Sequence, residues 1–162
     1  MRLPSICLAL ALLTASALAE DKEITVKVGG EAELKMSVPK DAEVTIKGAE
    51  TTIHSKGLWI YLWRPAGAKT VADVVPHVGE VIKGQFVKYA VESTESLNVA
   101  GHEAKHLKGT GEEADDNDPG TADVVIFTDG KNVFAACVHG ERDEAAKERP
   151  ALLKALESIK PG

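Results

Sequence analysis

Val124-Val125-Ile126-Phe127-Thr128-Asp129-Gly130-Lys131-Asn132-Val133-Phe134 is the stretch that decides the fold. Two apolar runs flank Asp-Gly, a pair that accepts the positive φ angles of a type I′ turn. The stretch predicts a β-hairpin. Each run is apolar at successive positions rather than at alternate ones, so both faces of both strands must be covered. The hairpin therefore belongs in the middle of a sheet, and Ala135 and Ala136 leave room for a helix to approach.

On its N-terminal side, residues 102–108 read as a strand returning from residues 86–96. Residues 109–120, rich in Gly and Asp and closed by Pro119-Gly120, read as a loop. Val71, Val74, Val75, Val78 and Ile82 fall on one helical face, with Thr70 as N-cap and Gly84 as stop. Leu58 to Trp63 is apolar at every position and predicts a covered strand, ended by Arg64-Pro65. Residues 24–38 alternate with period two around Gly29-Gly30, which predicts a hairpin with one wet face. Weaker strand signals follow at 44–46 and 51–53. After the decisive hairpin, an acidic start at residues 141–148 suits a helix N-terminus, and Pro150 opens a second helical segment. Leu152, Leu153, Leu156 and Ile159 line its face.

The first nineteen residues carry a different signal. Arg2, an apolar run over residues 6–13 and Ala17-Leu18-Ala19 form a cleavable export signal, with the cut expected between Ala19 and Glu20. The run is too short to cross a bilayer. Cleavage removes Arg2 and Cys7. The formal charge of −6 then becomes one unit more negative, and one of the two cysteines, Cys137, remains. The expected mature chain, residues 20–162, is one acidic domain, periplasmic or secreted. It has no internal disulfide and no stable membrane anchor. Its charge disfavours nucleic acid. Cys137 sits in an apolar run and reads as a buried, inert thiol.

The element order resembles a known family. A strand ending in Arg64-Pro65, a helix, four antiparallel strands and a terminal helix are similar to the PsbP-like fold. Val99-Ala100-Gly101 with Ala104, the hairpin around Asp129-Gly130, and Leu156-Glu157-Ser158-Ile159-Lys160 carry the resemblance, over roughly residues 50–160. That family includes extrinsic photosystem subunits, a Ran GTPase-binding protein and small exported bacterial proteins. The resemblance implies an α+β fold, an α/β/α sandwich with an antiparallel sheet of about five to seven strands flanked by helices. Residues 20–49 would add an N-terminal hairpin region. It brings no shared catalytic set and favours an accessory or binding protein over an enzyme.

Three side-chain groups offer chemistry. His102-Glu103-Ala104-Lys105-His106 spells a zinc-protease motif, which needs a helix to place both imidazoles on one metal. Here Gly101 precedes the motif and Gly109-Thr110-Gly111 follows it. As a strand it separates His102 from His106 by about 13 Å. The acidic run holding Glu112, Glu113, Asp115, Asp116 and Asp118 could attract calcium, although Pro119 breaks the EF-hand spacing. Cys137-x-His139 could supply two metal ligands from one strand face, whereas His54 and His77 have no suggestive neighbours. Finally Trp59, Tyr61 and Trp63 share a strand face and, if open, could stack on sugars or other flat ligands. The intervening Leu58, Ile60 and Leu62 favour a core strand instead.

The expected function is thus an exported, non-catalytic accessory or binding protein, with a protein or small-ligand partner and no cofactor. One alternative is a zinc- or calcium-binding protein using His102, His106, Asp115, Asp116 and Asp118. The other is a small-ligand or carbohydrate binder using Trp59, Tyr61, Trp63 and Arg64.

Overall fold

A computed structural model describes residues 21–30, 32–140 and 142–162, with side chains described except at 142–148. The expected export signal and its cleavage point lie outside these residues. The chain runs β1 (Asp21–Val28), β2 (Ala32–Pro39), β3 (Glu43–Lys47), β4 (Glu50–Ser55), β5 (Leu58–Trp63) and α1 (Val71–Val74). A 3-10 turn (Val75–His77), α2 (Val78–Val81), β6 (Phe86–Val99), β7 (His102–Glu113), β8 (Pro119–Thr128), β9 (Val133–Gly140), α3 (Arg142–Glu157) and β10 (Lys160–Pro161) complete it.

Seven strands form one antiparallel sheet in the order β3-β4-β5-β9-β8-β7-β6, and β1-β2-β10 form a second. The decisive hairpin is β8–β9, with β5 and β7 on its flanks, and it is covered on both faces as its sequence requires. Val125, Phe127, Phe134, Ala136 and Val138 face the smaller sheet and α3. Val124, Ile126, Ala135 and Cys137 face the short helices. The turn differs from the expected two-residue type I′ form. Thr128 pairs with Val133, leaving four residues in the connection, and only Gly130 has positive φ. The Asp129 carboxylate accepts from the backbone of Lys131 at 2.8 Å and Asn132 at 2.6 Å, which folds the loop by side-chain capture.

The expected fold class is corrected here. The protein is mostly β, with two antiparallel sheets, and is not an α+β sheet flanked by helices or an α/β/α sandwich. The cause lies in the first hairpin. Val26, Val28, Leu34, Met36 and Val38 alternate inward and are buried, while Lys27, Glu33 and Lys35 stay exposed. Such a hairpin must cover its apolar face, and it lies across the larger sheet to do so. The C-terminus closes the smaller sheet, with Gly162 N–H donating to Glu33 O at 2.9 Å. On the opposite face the helix expected over 71–82 is broken into α1, the 3-10 turn and α2, because Pro76 lacks the amide a continuous helix needs. Thr70 does cap α1, in a reciprocal box with Asp73. Conversely, α3 runs through Pro150 as one helix rather than two segments.

Candidate functional site

β5 sends Leu58, Ile60 and Leu62 into the core between the sheets and Trp59, Tyr61 and Trp63 to the other face. Tyr61 and Trp63 pack at the margin of the helix-side core, and all three aromatics are half-buried. Strand register sets Trp59 opposite His54 of β4 on one side and His139 of β9 on the other. The His54 ring stacks 4.8 Å from the indole and the His139 ring 6.2 Å from it. Tyr61 stacks on His139 at 5.2 Å and 8°, and Phe86 meets the same imidazole edge-on. Trp59 thus sits between two imidazoles. A sugar ring stacking on it would have to displace one of them.

His139 is the centre of this group. It is 7% exposed, and neither ring nitrogen has a hydrogen-bond partner in the protein. Nδ1 stands 3.7 Å from Glu113 Oε1. Glu113 ends β7, two strands away, and reaches His139 across Gly120 of β8. A Cβ at Gly120 would lie 3.5 Å from Glu113 Oε1 and 3.0 Å from the Phe86 ring, so only glycine leaves the passage open without a shift. The turn after Glu113 is pinned by backbone bonds of 2.9 Å from Glu113 N–H to Asp118 O, Asn117 N–H to Glu113 O and Ala114 N–H to Gln85 O. It brings carboxylate oxygens of Glu113, Asp115 and Asp116 within 4.8 Å of one another. A cleft of about 570 Å³ results, lined by Trp59, Glu113, Asp115, Asp116 and Asp118.

Burial holds the His139 pKa below its ordinary 6.5; Asp115 pulls it upward and Arg149 pushes it further down. The folded protein therefore protonates His139 at lower pH than the unfolded chain does. As pH falls through about 6.5 the unfolded state binds more protons, so this group costs stability on the acid side and nothing above it. In chelator-containing buffer, His139→Phe should flatten the loss of urea resistance between about pH 7 and about pH 5. Equal pH slopes in the two proteins would show that another group is responsible.

The other expected site residues lie elsewhere. Arg64 is exposed at the end of β5 away from Trp59, with its aliphatic stem against Gly29. His102 is exposed at the start of β7, where a Cβ on Gly130 would come within 3.1 Å of its Nε2. His106 is buried on the face opposite His139, and its Nε2–H donates to Asp123 Oδ1 at 2.7 Å. Among the described residues, no cluster of three metal-type side chains includes His102 or His106. The motif that looks most like a metal site is thus one exposed imidazole and one structural imidazole. Asp115 and Asp116 do cluster, and Asp118 lines the cleft outside that cluster. Cys137 is buried, and burial pushes its thiol pKa up, away from the reactive thiolate. His54 has no suggestive neighbours in the sequence yet stacks on Trp59, and the approach of Glu113 to His139 has no sequence signal. His139 was visible only as part of Cys137-x-His139, and nothing local ties it to β7.

No protein-family model matches the sequence, and no curated protein matches it either. Thirteen chains of solved structures match the fold. One is the protein of unknown function PA94 from Pseudomonas aeruginosa. It is 14% identical with a TM-score of 0.51, over 86% of this chain and 97% of that one. That likeness shows the fold alone.

Proposed function

We propose that the protein is an exported, non-catalytic binding protein whose ligand site is the cleft beside Trp59, and that the ligand is positively charged. The carrying observation is that Trp59 and the carboxylates of Glu113, Asp115, Asp116 and Asp118 line one cleft. Acidic groups gathered around a concave site attract cations and repel anions. Without a ligand they repel one another. The half-buried indole beside them excludes water from one wall, which strengthens the attraction. An inorganic cation, an amine or a basic side chain of a partner protein all fit this description. The expected export signal supports the exported, accessory role within the same proposal.

The test is a titration in a Trp63→Phe background, so that Trp59 is the single indole reporter. Spermidine, a lysine-rich peptide and divalent metal chlorides are the cationic probes. A neutral oligosaccharide and an acidic peptide are the controls. At least one cationic probe should change the emission saturably. The combined Asp115→Asn, Asp116→Asn, Asp118→Asn variant should weaken that response about tenfold or more. Saturation by the oligosaccharide alone, or by no probe, would reject the reading.

A further inference from the structure

An open sheet edge presents unpaired N–H and C=O groups that invite another strand, so most edges are guarded. β6 ends the larger sheet on one side with register breaks at Val87–Ala90 and Val91–Ser93, and with Lys88 at positive φ. In the smaller sheet, β10 is two residues long and holds Pro161, and β1 already buries its Val26 and Val28. β3 has no such protection. It ends the other side of the larger sheet, pairs with β4 in unbroken register and is exposed at all five residues. Val44 and Ile46 are 38% and 52% exposed, uncommon values for large apolar side chains in this protein. From this edge we infer that β3 is the interface of a two-fold dimer, in which it pairs antiparallel with β3 of a second copy of the chain.

The register follows from the turn that joins β3 to β4. Lys47 and Glu50 flank Gly48-Ala49, and Gly48 takes the positive φ such a turn uses. Residues flanking a two-residue turn form a hydrogen-bonded pair, and bonded and non-bonded pairs then alternate along the ladder. Thr45 with Thr52 and Glu43 with His54 are therefore bonded pairs. Val44 and Ile46 turn their N–H and C=O groups away from β4, toward the open edge. Under a two-fold axis those groups can pair Val44 with its own copy, Ile46 with its own copy, or Val44 with Ile46. Charge selects the third. It centres the axis on Thr45 and sets Glu43 across from Lys47 of the second copy at both ends. The other two set Glu43 or Lys47 opposite Thr45 and pair no charges within the strand. Among the described residues, neither Glu43 nor Lys47 forms an ion pair inside its own chain.

The same register covers the apolar side chains. Val44 lies opposite Ile53 and Ile46 opposite Thr51, both fully buried on the face turned to the smaller sheet. That sheet reaches β4, where Thr51 Oγ1 donates to Lys27 O at 3.2 Å, and leaves β3 beyond it exposed. Directly opposed residues of an antiparallel pair share a face. Val44 and Ile46 of one copy therefore meet Ile46 and Val44 of the other there. Glu43, Thr45 and Lys47 take the opposite face, the one that carries His54 and Trp59. A two-fold axis normal to the sheet keeps the Trp59 clefts of both copies on one face of the dimer. Among the described residues, the cleft is lined without β3, so pairing leaves it open. The contact is isologous and closes at two copies.

A strand of five residues buries less than a standard interface, so the dimer is weak and concentration-dependent. Sedimentation velocity of the chain from Glu20 onward, over about 5 to about 500 µM, reads it. A monomer–dimer equilibrium that stops at two copies is expected. Glu43→Lys and Lys47→Glu should each weaken self-association at least about tenfold, because each sets like charges across both ends of the pairing. Mixed in equal amounts, the two variants should associate with about the parent affinity, since both ends again join opposite charges. Val44→Pro takes an N–H from the open edge and none from the β4 ladder. It should abolish the dimer while thermal unfolding of the monomer stays close to that of the parent. A monomer at every concentration would overturn the pairing. So would charge reversals that leave association unchanged, or a mixture no stronger than its components, either of which puts the contact in another place or register. Growth beyond two copies would reveal an open, head-to-tail contact and reject the closed pair.

Discussion

Asp123→Ala is expected to lower the stability of the protein by about 3–5 kcal/mol, the cost of breaking a buried ion pair by removing one partner. Asp123 is 1% exposed and sits between two basic groups. Its Oδ1 accepts from His106 Nε2 at 2.7 Å. Its Oδ2 stands 2.8 Å from Arg149 Nη1, close enough for an ion pair but off the line of a hydrogen bond. Arg149 also donates through Nη2 to the carbonyl and hydroxyl oxygens of Thr121 at 3.3 and 2.9 Å. The network therefore clamps α3 to β8 and β7 through one central carboxylate. Removing that carboxylate leaves a 4%-exposed imidazole without its acceptor and a mostly buried guanidinium without its counter-ion. Urea unfolding measures the loss. Arg149→Met alone should cost less, because its side chain is 21% exposed and water can reach the site. The double variant should lose less than the sum of the single losses, since the second substitution removes a charge that the first had stranded. A loss below about 1 kcal/mol for Asp123→Ala would mean that the network is not closed to solvent.

Reading the sequence forward, the strands at 24–38, 58–63 and 124–134 were legible because their apolar periods match where the side chains go. Residues 109–113 were not. Gly109 and Gly111 read as a loop, yet both lie within β7. The reason is non-local. β6 carries register breaks between Val87 and Ala90 and between Val91 and Ser93. These breaks bring the Tyr89 ring and backbone carbonyls into the space that a Cβ on Gly109 or Gly111 would occupy. Tyr89 O–H then reaches the carbonyls of Leu107 at 3.2 Å and Ala122 at 3.1 Å. Glycine is required there by a neighbouring strand that the local sequence does not reveal. The same limit applies to the candidate site. Five acidic residues were visible as a run, and His139 as part of a pair with Cys137. The approach of Glu113 to His139 depends on β9, β8 and β7 lying side by side and on Gly120 leaving a passage. The two-layer packing was hidden likewise: an alternating hairpin announces that it has an apolar face, but not which surface will cover it.

Phe134→Ala, in the hairpin that decides the fold, should cost about 3–5 kcal/mol, as removal of a buried aromatic ring does when its surroundings cannot collapse. Phe134 and Phe127 are register partners with rings 5.2 Å apart at 21°, and neither is exposed. They fill the space between the two sheets together with Met36 and Val38 of β2 and Leu152 and Leu156 of α3. β9 is hydrogen-bonded on both edges, to β5 and β8, so the backbone cannot move in to fill the gap. Phe134→Leu keeps most of the volume and should cost less than about 1.5 kcal/mol. The two variants together discriminate packing from simple hydrophobicity: similar losses would show a loose interior. The site offers a second, opposite expectation. Phe134 and His139 point to opposite faces of β9, Phe134 into the layer shared with the smaller sheet and His139 to the face that carries Trp59 and Tyr61. Well below its lowered unfolding temperature, Phe134→Ala should therefore bind cations at the cleft with nearly the affinity of the parent. A marked loss of binding in that variant would show that the inter-sheet layer sets the position of His139, and that the cleft is not the independent site its geometry describes.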